Sequence, residues 1–301
     1  MSEEWVEPRM PSRPHVALPP GACDTHAHIF GPTDRFPFVV PPSYPPPRAP
    51  AERHLAMLDA IGAARGVLVQ TAAYGTEAAP IVDACRRSNG RLRGVAAADG
   101  QVSDDSLAAM VAGGIRGLRF CEIPDPRGGG RFHGSVGFDV FEKLAPRMRE
   151  HGLHAVLWAP SLVLNVELPR LVRLGVPIAL DHIGSVSASG ISDPAFQTFR
   201  ALLAEGRIWI KLVACRVSAM APDYPDLRPL HEALVAANPE YLLWGSDWPY
   251  VRMGEGAPDV GHLIDLFRDW IGDETIARKI LVDNPARLFG FEPVSAARTS
   301  A

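Results

Sequence analysis

The sequence predicts an α/β protein built as a single (β/α)₈, or TIM, barrel. Three observations carry that expectation: a length of 301 residues, eight short apolar runs spaced along the chain, and amphipathic stretches between them. Such a barrel takes about 250 residues as one unit. The runs are 22–28, 66–71, 93–99, 115–120, 154–159, 177–182, 208–213 and 241–247. Each is nearly continuously apolar and rich in Val, Ile, Leu or aromatic residues, as strands buried on both faces of a parallel sheet are. Helical patterns fall at 51–62, 138–150, 194–205, 226–238 and 258–270. In the first of these, Leu55, Leu58 and Ile61 share a stripe and Gly62 supplies a stop. An open doubly wound sheet is the competing fold, but it normally uses fewer strands. No GxGxxG follows the first run, so a dinucleotide-binding version has little support.

Two stretches interrupt the alternation. Residues 30–50 carry eight prolines after the first run, and residues 121–134 follow the fourth with three consecutive glycines. Both follow strand C-termini, the barrel face where active sites lie, so both read as pocket walls, the second a mobile one. The division expected is a flexible N-terminal arm, 1–20, and a barrel, 21–301.

Composition excludes several function classes. With 47% hydrophobic and 21% charged residues the chain is globular, and a net charge of −4 argues against a nucleic-acid or anionic-membrane surface. No apolar run nears the roughly 20 residues that span a bilayer. The opening MSEEWVEPRMPSRPH lacks the basic-then-apolar order of a signal peptide. Cys23, Cys85, Cys121 and Cys215 form no CxxC pair, which suits a reducing cytoplasm. A homo-oligomer is left open.

The chemistry-bearing residues fall at the ends of the runs. Asp24-Thr25-His26-Ala27-His28 places two histidines at i and i+2, on one face of a strand, where both can enter the barrel mouth. His182 ends the sixth run and Asp247 the eighth. Alone, an HxH arises by chance, a single histidine is more often structural, and an Asp often caps a helix. Four such groups at strand ends argue for one site. Arg119, Arg127, Arg131 and Arg216 lie at or just after the fourth and seventh runs. A planar guanidinium fork suits a carboxylate or sulfonate, so these arginines imply an anionic substrate.

DTHAH, DHIG and GSDWP in this order resemble the amidohydrolase superfamily. PPGACDTHAHIFGP, SNGRLRGVAA, GIRGLRF and LVDNPARLF are similar to its branch of 2-pyrone-4,6-dicarboxylate lactonases. The resemblance covers nearly the whole chain. It implies a hydrolase opening a small anionic lactone, with Asp247 as general base or proton shuttle. His26, His28 and His182 would polarise the carbonyl, directly or through one Zn²⁺ held with Asp247. No lysine follows the fourth run to bridge two metals, and the seventh ends KLVAC without the histidine of metal-dependent decarboxylases. The pyrone lactonase works without a divalent metal, so the cofactor expectation is none, or one zinc.

Tyr44 matches a pocket tyrosine of that branch, and Arg127 or Arg131 stands for one of its arginines. Ala72 and Tyr74 replace a serine and a histidine, Trp158 a tyrosine, and Tyr250 a histidine. These departures imply a related but different ring, such as 4-sulfomuconolactone or another muconolactone. A decarboxylase of an aromatic or muconate-type acid is the alternative on the same scaffold, and a non-catalytic binding barrel a weaker one.

Overall fold

A computed structural model describes residues 7–40, 44–187 and 190–292. Eight parallel strands form one sheet in sequence order. They are β1 (Cys23–Ala27), β2 (Arg65–Val69), β3 (Leu92–Ala96), β4 (Ile115–Cys121), β5 (His154–Trp158), β6 (Ile178–Leu180), β7 (Trp209–Leu212) and β8 (Leu242–Trp244). Around them lie α1 (Ala51–Ile61), α2 (Ala79–Arg87), α3 (Asp104–Ala112), α4 (Phe138–Glu150), α5 (Ser161–Leu171), α6 (Pro194–Ala204), α7 (Arg228–Ala237) and α8 (Val260–Ile271). Two short helices, α9 (Glu274–Arg278) and α10 (Asn284–Phe289), close the bottom. No described helix is long and apolar enough to cross a membrane.

All eight apolar runs became strands, but the second, third, sixth and eighth overshoot by two or three residues. β6 stops at Leu180 and β8 at Trp244, so His182 and Asp247 sit past the ladder. The reason is local: both residues adopt positive φ, 51° and 66°, which turns the chain out of the extended conformation. The helical stripe of α1 is also rotated from expectation. Leu58 and Ile61 are buried as predicted, together with His54 and Met57, while Leu55 is only half-buried. Gly62 stops this helix as expected, in the left-handed conformation at φ 78°.

The core has two parts. Side chains inside the barrel's lower end, among them Val67, Val95, Val156 and Leu243, stack on Phe289 of α10. A larger layer fills the space between strands and helices. From Ser12 onward the N-terminal segment lies along α8: Ser12 N and Oγ donate to Asp259, the cap of that helix, and His15 N donates to Asp265.

Three histidines, His54 and His231 between strands and helices and His154 inside the barrel against Phe289, are enclosed and form no ion pair. Burial pushes each down to about 3. In the unfolded chain they titrate near 6.5, so below that pH the unfolded state binds more protons and stability is lost as pH falls. Each contributes about 1.4 kcal/mol per pH unit, about 4 kcal/mol per unit for the three together. Denaturant titrations should therefore show stability falling steeply from pH 6.5 to 5. His54→Phe should make that fall shallower, and an unchanged slope would refute its source.

Candidate active site

The first and last strands meet through the residues that carry the predicted site. The Asp24 carboxylate, wholly buried, accepts from the Ser246 amide (2.9 Å), the Ser246 hydroxyl (2.5 Å) and the His26 amide (3.1 Å). Thr25 Oγ1 donates to Trp244 O (2.8 Å). Above them, Asp247 N donates to His26 O and His28 N to Trp248 O, both at 2.8 Å. A side chain at Gly245 is impossible here, because its Cβ would lie 2.6 Å from that of His26. Burial pushes Asp24 up to about 6, against the pull of its Ser246 bonds.

Strand alternation then delivers His26 and His28 to the barrel mouth beside Asp247. His26 Nε2 and His28 Nε2 are 3.3 Å apart, and each lies 3.4 Å from Asp247 Oδ1. His28 Nδ1 is 2.7 Å from Val69 O; a carbonyl only accepts, so this nitrogen carries a proton. The His182 ring stands 4.9 Å from that of His26 and 5.6 Å from that of Trp158. Burial lowers His26 well below the usual range and His182 to about 4, despite nearby carboxylates, so both rings are neutral.

Beneath His26 lies a charged group that sequence reasoning missed. Lys211, fully buried in β7, approaches Asp181 Oδ1 at 3.0 Å and His26 Nδ1 at 3.4 Å, while Asp181 Oδ2 accepts from Arg119 at 3.1 Å. Burial raises Asp181, but Lys211, His26 and Arg119 outweigh it and hold the carboxyl well below its ordinary value. Asp247 behaves alike: burial opposes ionisation, and Arg216 above all, with His28 and the other histidines, overcomes it. The signal was present in the sequence. A lysine inside an otherwise apolar strand is almost never buried unless paired.

The space over this floor is about 870 Å³ including its open mouth. His28, His182, Asp247, Arg119 and Arg216 line its base, and Tyr44 and Trp158 its walls. Arg119 also stacks on Trp158, its guanidinium carbon 4.9 Å from the ring. Five expected residues do not line it: His26, wholly buried below, and four of the eight expected to bind substrate. Arg127 turns back to Asp125 and Arg131 to Glu122. Tyr74 takes a hydrogen bond from Gly31 N on its hydroxyl, and Tyr250 is buried beneath the loop. In their place the loop after β8 brings Arg252 to the pocket. Asp247, Tyr250 and Arg252 all have positive φ (66°, 61°, 68°), which winds this loop tightly.

His26 Nε2, His28 Nε2 and Asp247 Oδ1 also fit one divalent cation. Zn–N bonds of about 2.0–2.1 Å in a tetrahedron place ligand atoms about 3.3–3.4 Å apart, as these are. A proton between the two Nε2 atoms, 3.3 Å apart, fits the same position. At its other nitrogen, Nδ1, His26 lies 3.1 Å from Asp181 Oδ1 and 3.4 Å from Lys211 Nζ.

Comparison with known proteins agrees with this geometry. The chain is 36% identical over 290 residues to a 4-sulfomuconolactone hydrolase of Rhizobium radiobacter, covering 94% of this chain and 95% of that one. It is 33% identical over 300 residues to a 2-pyrone-4,6-dicarboxylate hydrolase of Comamonas testosteroni, covering 94% and 95%. A solved structure from Acinetobacter baumannii, described as a probable 2-pyrone-4,6-dicarboxylic acid hydrolase with citric acid bound, superposes with a TM-score of 0.75. It shares 26% identity, over 90% of this chain and 100% of that one. The sequence profile of the amidohydrolase family matches residues 23–291, from the start of β1 to just past α10. The match thus spans the whole barrel, and the chain belongs to the amidohydrolase family.

Proposed function

We propose that this protein hydrolyses a small anionic lactone. The observation that carries the reading is the floor of the pocket, where an ionised carboxylate, neutral histidines and two arginines converge beneath an open cavity. The names of its relatives support the same class of substrate, including sulfomuconolactone- and pyrone-dicarboxylate-like rings. Four free, buried cysteines suit a reducing compartment.

In this reading Asp247 takes a proton from the attacking water as its oxygen bonds to the lactone carbonyl carbon. His182, a neutral donor in the pocket wall, stabilises the oxyanion that forms. The ring C–O bond then breaks, the leaving oxygen regains a proton from Asp247, and the new carboxylic acid gives its remaining proton to solvent. Asp247 is a weak base while Arg216 holds it. An anionic group drawn to Arg216 competes for that contact and restores basicity where it is needed. A zinc ion held by His26, His28 and Asp247 would supply polarisation of the carbonyl and a more acidic water. Arg119, fixed by Asp181 and Trp158, orients the substrate's anionic side.

The deciding experiment is an assay of 4-sulfomuconolactone and 2-pyrone-4,6-dicarboxylate on metal-analysed protein, with and without chelator. Turnover surviving exhaustive chelation assigns the shared position to a proton; loss restored by added zinc assigns it to the cation. Asp247→Asn should lower kcat about a hundredfold or more, the usual range for a lost general base, with KM little changed. Wild-type kcat in that variant removes Asp247 from the mechanism. Arg127→Gln, by contrast, should keep KM within about twofold, since its partner is Asp125 rather than substrate.

A further inference from the structure

The charges beneath the pocket balance. Arg119, Lys211 and Arg216 are opposed by Asp24, Asp181 and Asp247, three against three, and the histidines His26 and His182 are neutral. The charged loop residues nearby are matched as well, Arg127 with Asp125 and Arg131 with Glu122. Arg252 is the exception. It lines the same pocket, and among the described residues it has no ion pair and no hydrogen-bond partner. It is also exposed, so its charge stays hydrated until a ligand covers it.

The loop fixes where that charge stands. Arg216 Nη1 donates to Val251 O at 2.8 Å, and Tyr250 N donates to Asp247 O at 3.0 Å. The backbone on the N-terminal side of Arg252 is therefore tied to Asp247 and its partner. Arg119, Arg216 and Arg252 all bear on one phenol, Tyr44: burial pushes it up to about 12 while each guanidinium pulls it down. The three arginines line the same cavity as Tyr44, and only one of them is without a carboxylate partner.

We propose that Arg252 is the receptor for an anionic substituent outside the lactone ring, and that it sets the enzyme's preference for substrates carrying one. This rests on the lactonase reading above and adds the residue that selects among lactones. Arg119 and Arg216 can donate hydrogen bonds to the substrate, but their charge is already answered by carboxylates. A second negative group finds unanswered positive charge at Arg252, in a cavity that Tyr44 also lines. The class of substrate that fits is a lactone with a carboxylate or sulfonate arm reaching toward the pocket mouth.

The test compares wild type with Arg252→Gln and Arg252→Lys on an anionic lactone and on its neutral ester. Arg252→Gln should raise KM for the anionic lactone about ten- to a hundredfold, with kcat changed less than threefold and the ester unaffected. Arg252→Lys should recover part of the loss, and added salt should weaken the wild type more than the Gln variant. Equal KM for wild type and Arg252→Gln on the anionic lactone would overturn the proposal, as would an equal loss on both substrates. Citrate binding by calorimetry gives a second readout that needs no turnover. If wild type hydrolyses no lactone, the functional reading fails by itself. Citrate affinity unchanged by Arg252→Gln would then overturn the role of Arg252 as an anion receptor, and a tenfold loss would support it.

Discussion

The buried Asp24 carboxylate is the interaction on which the rest of this barrel depends. A sheet of eight strands has two raw edges until the last strand reaches the first, and β8 is only three residues long. Asp24 binds the chain beyond β8 through both polar groups of Ser246. Next to it, the amides of Asp247 and His28 complete the rungs. Closing the barrel and bringing His26, His28 and Asp247 within 3.4 Å are therefore one event. Unpairing Asp24 would leave buried amides of both strands without an acceptor, a cost of several kcal/mol. It would also release the site.

A second constraint is the low polarisability of the barrel interior. Ionised groups survive there only in pairs, because desolvation of a lone charge outweighs most other terms. The arrangement answers this by stacking Lys211 and Arg119 on Asp181 and laying Arg216 on Asp247. With charge already balanced, protonating an imidazole would add an unpaired cation, and the histidines stay neutral. Neutral rings can donate to an oxyanion without first losing a proton.

The fold was legible because strands buried on both faces read as uninterrupted apolar runs, and eight of them leave few architectures. The helices were less so. α3 buries only Leu107, and α5 carries Pro169 within its span, so neither shows a clean stripe. In the site, His26 and His28 could be read because strand alternation fixes where side chains emerge, and His182 and Asp247 because they follow their strands within two or three residues. Loop side chains obey no such rule. Arg127 and Arg131 are captured by acids two and nine positions away, and the left-handed turn at Tyr250 points its ring inward. Arg252 reaches the pocket through that same turn, which no periodicity announces.

The left-handed turn from Asp247 to Arg252 also limits how this enzyme can diversify. At φ near +68° a β-branched side chain at position 252 is strained, whereas Asn, Asp and Gly sit there at little cost. The residues the backbone tolerates best are thus those that erase the positive charge or reverse it. An evolving lineage can reach neutral or cationic ligands through a single codon position without rebuilding the loop, while a purely apolar mouth lined by Val or Ile is closed to it. Conformational preference, rather than chemistry, sets which neighbouring specificities are one step away.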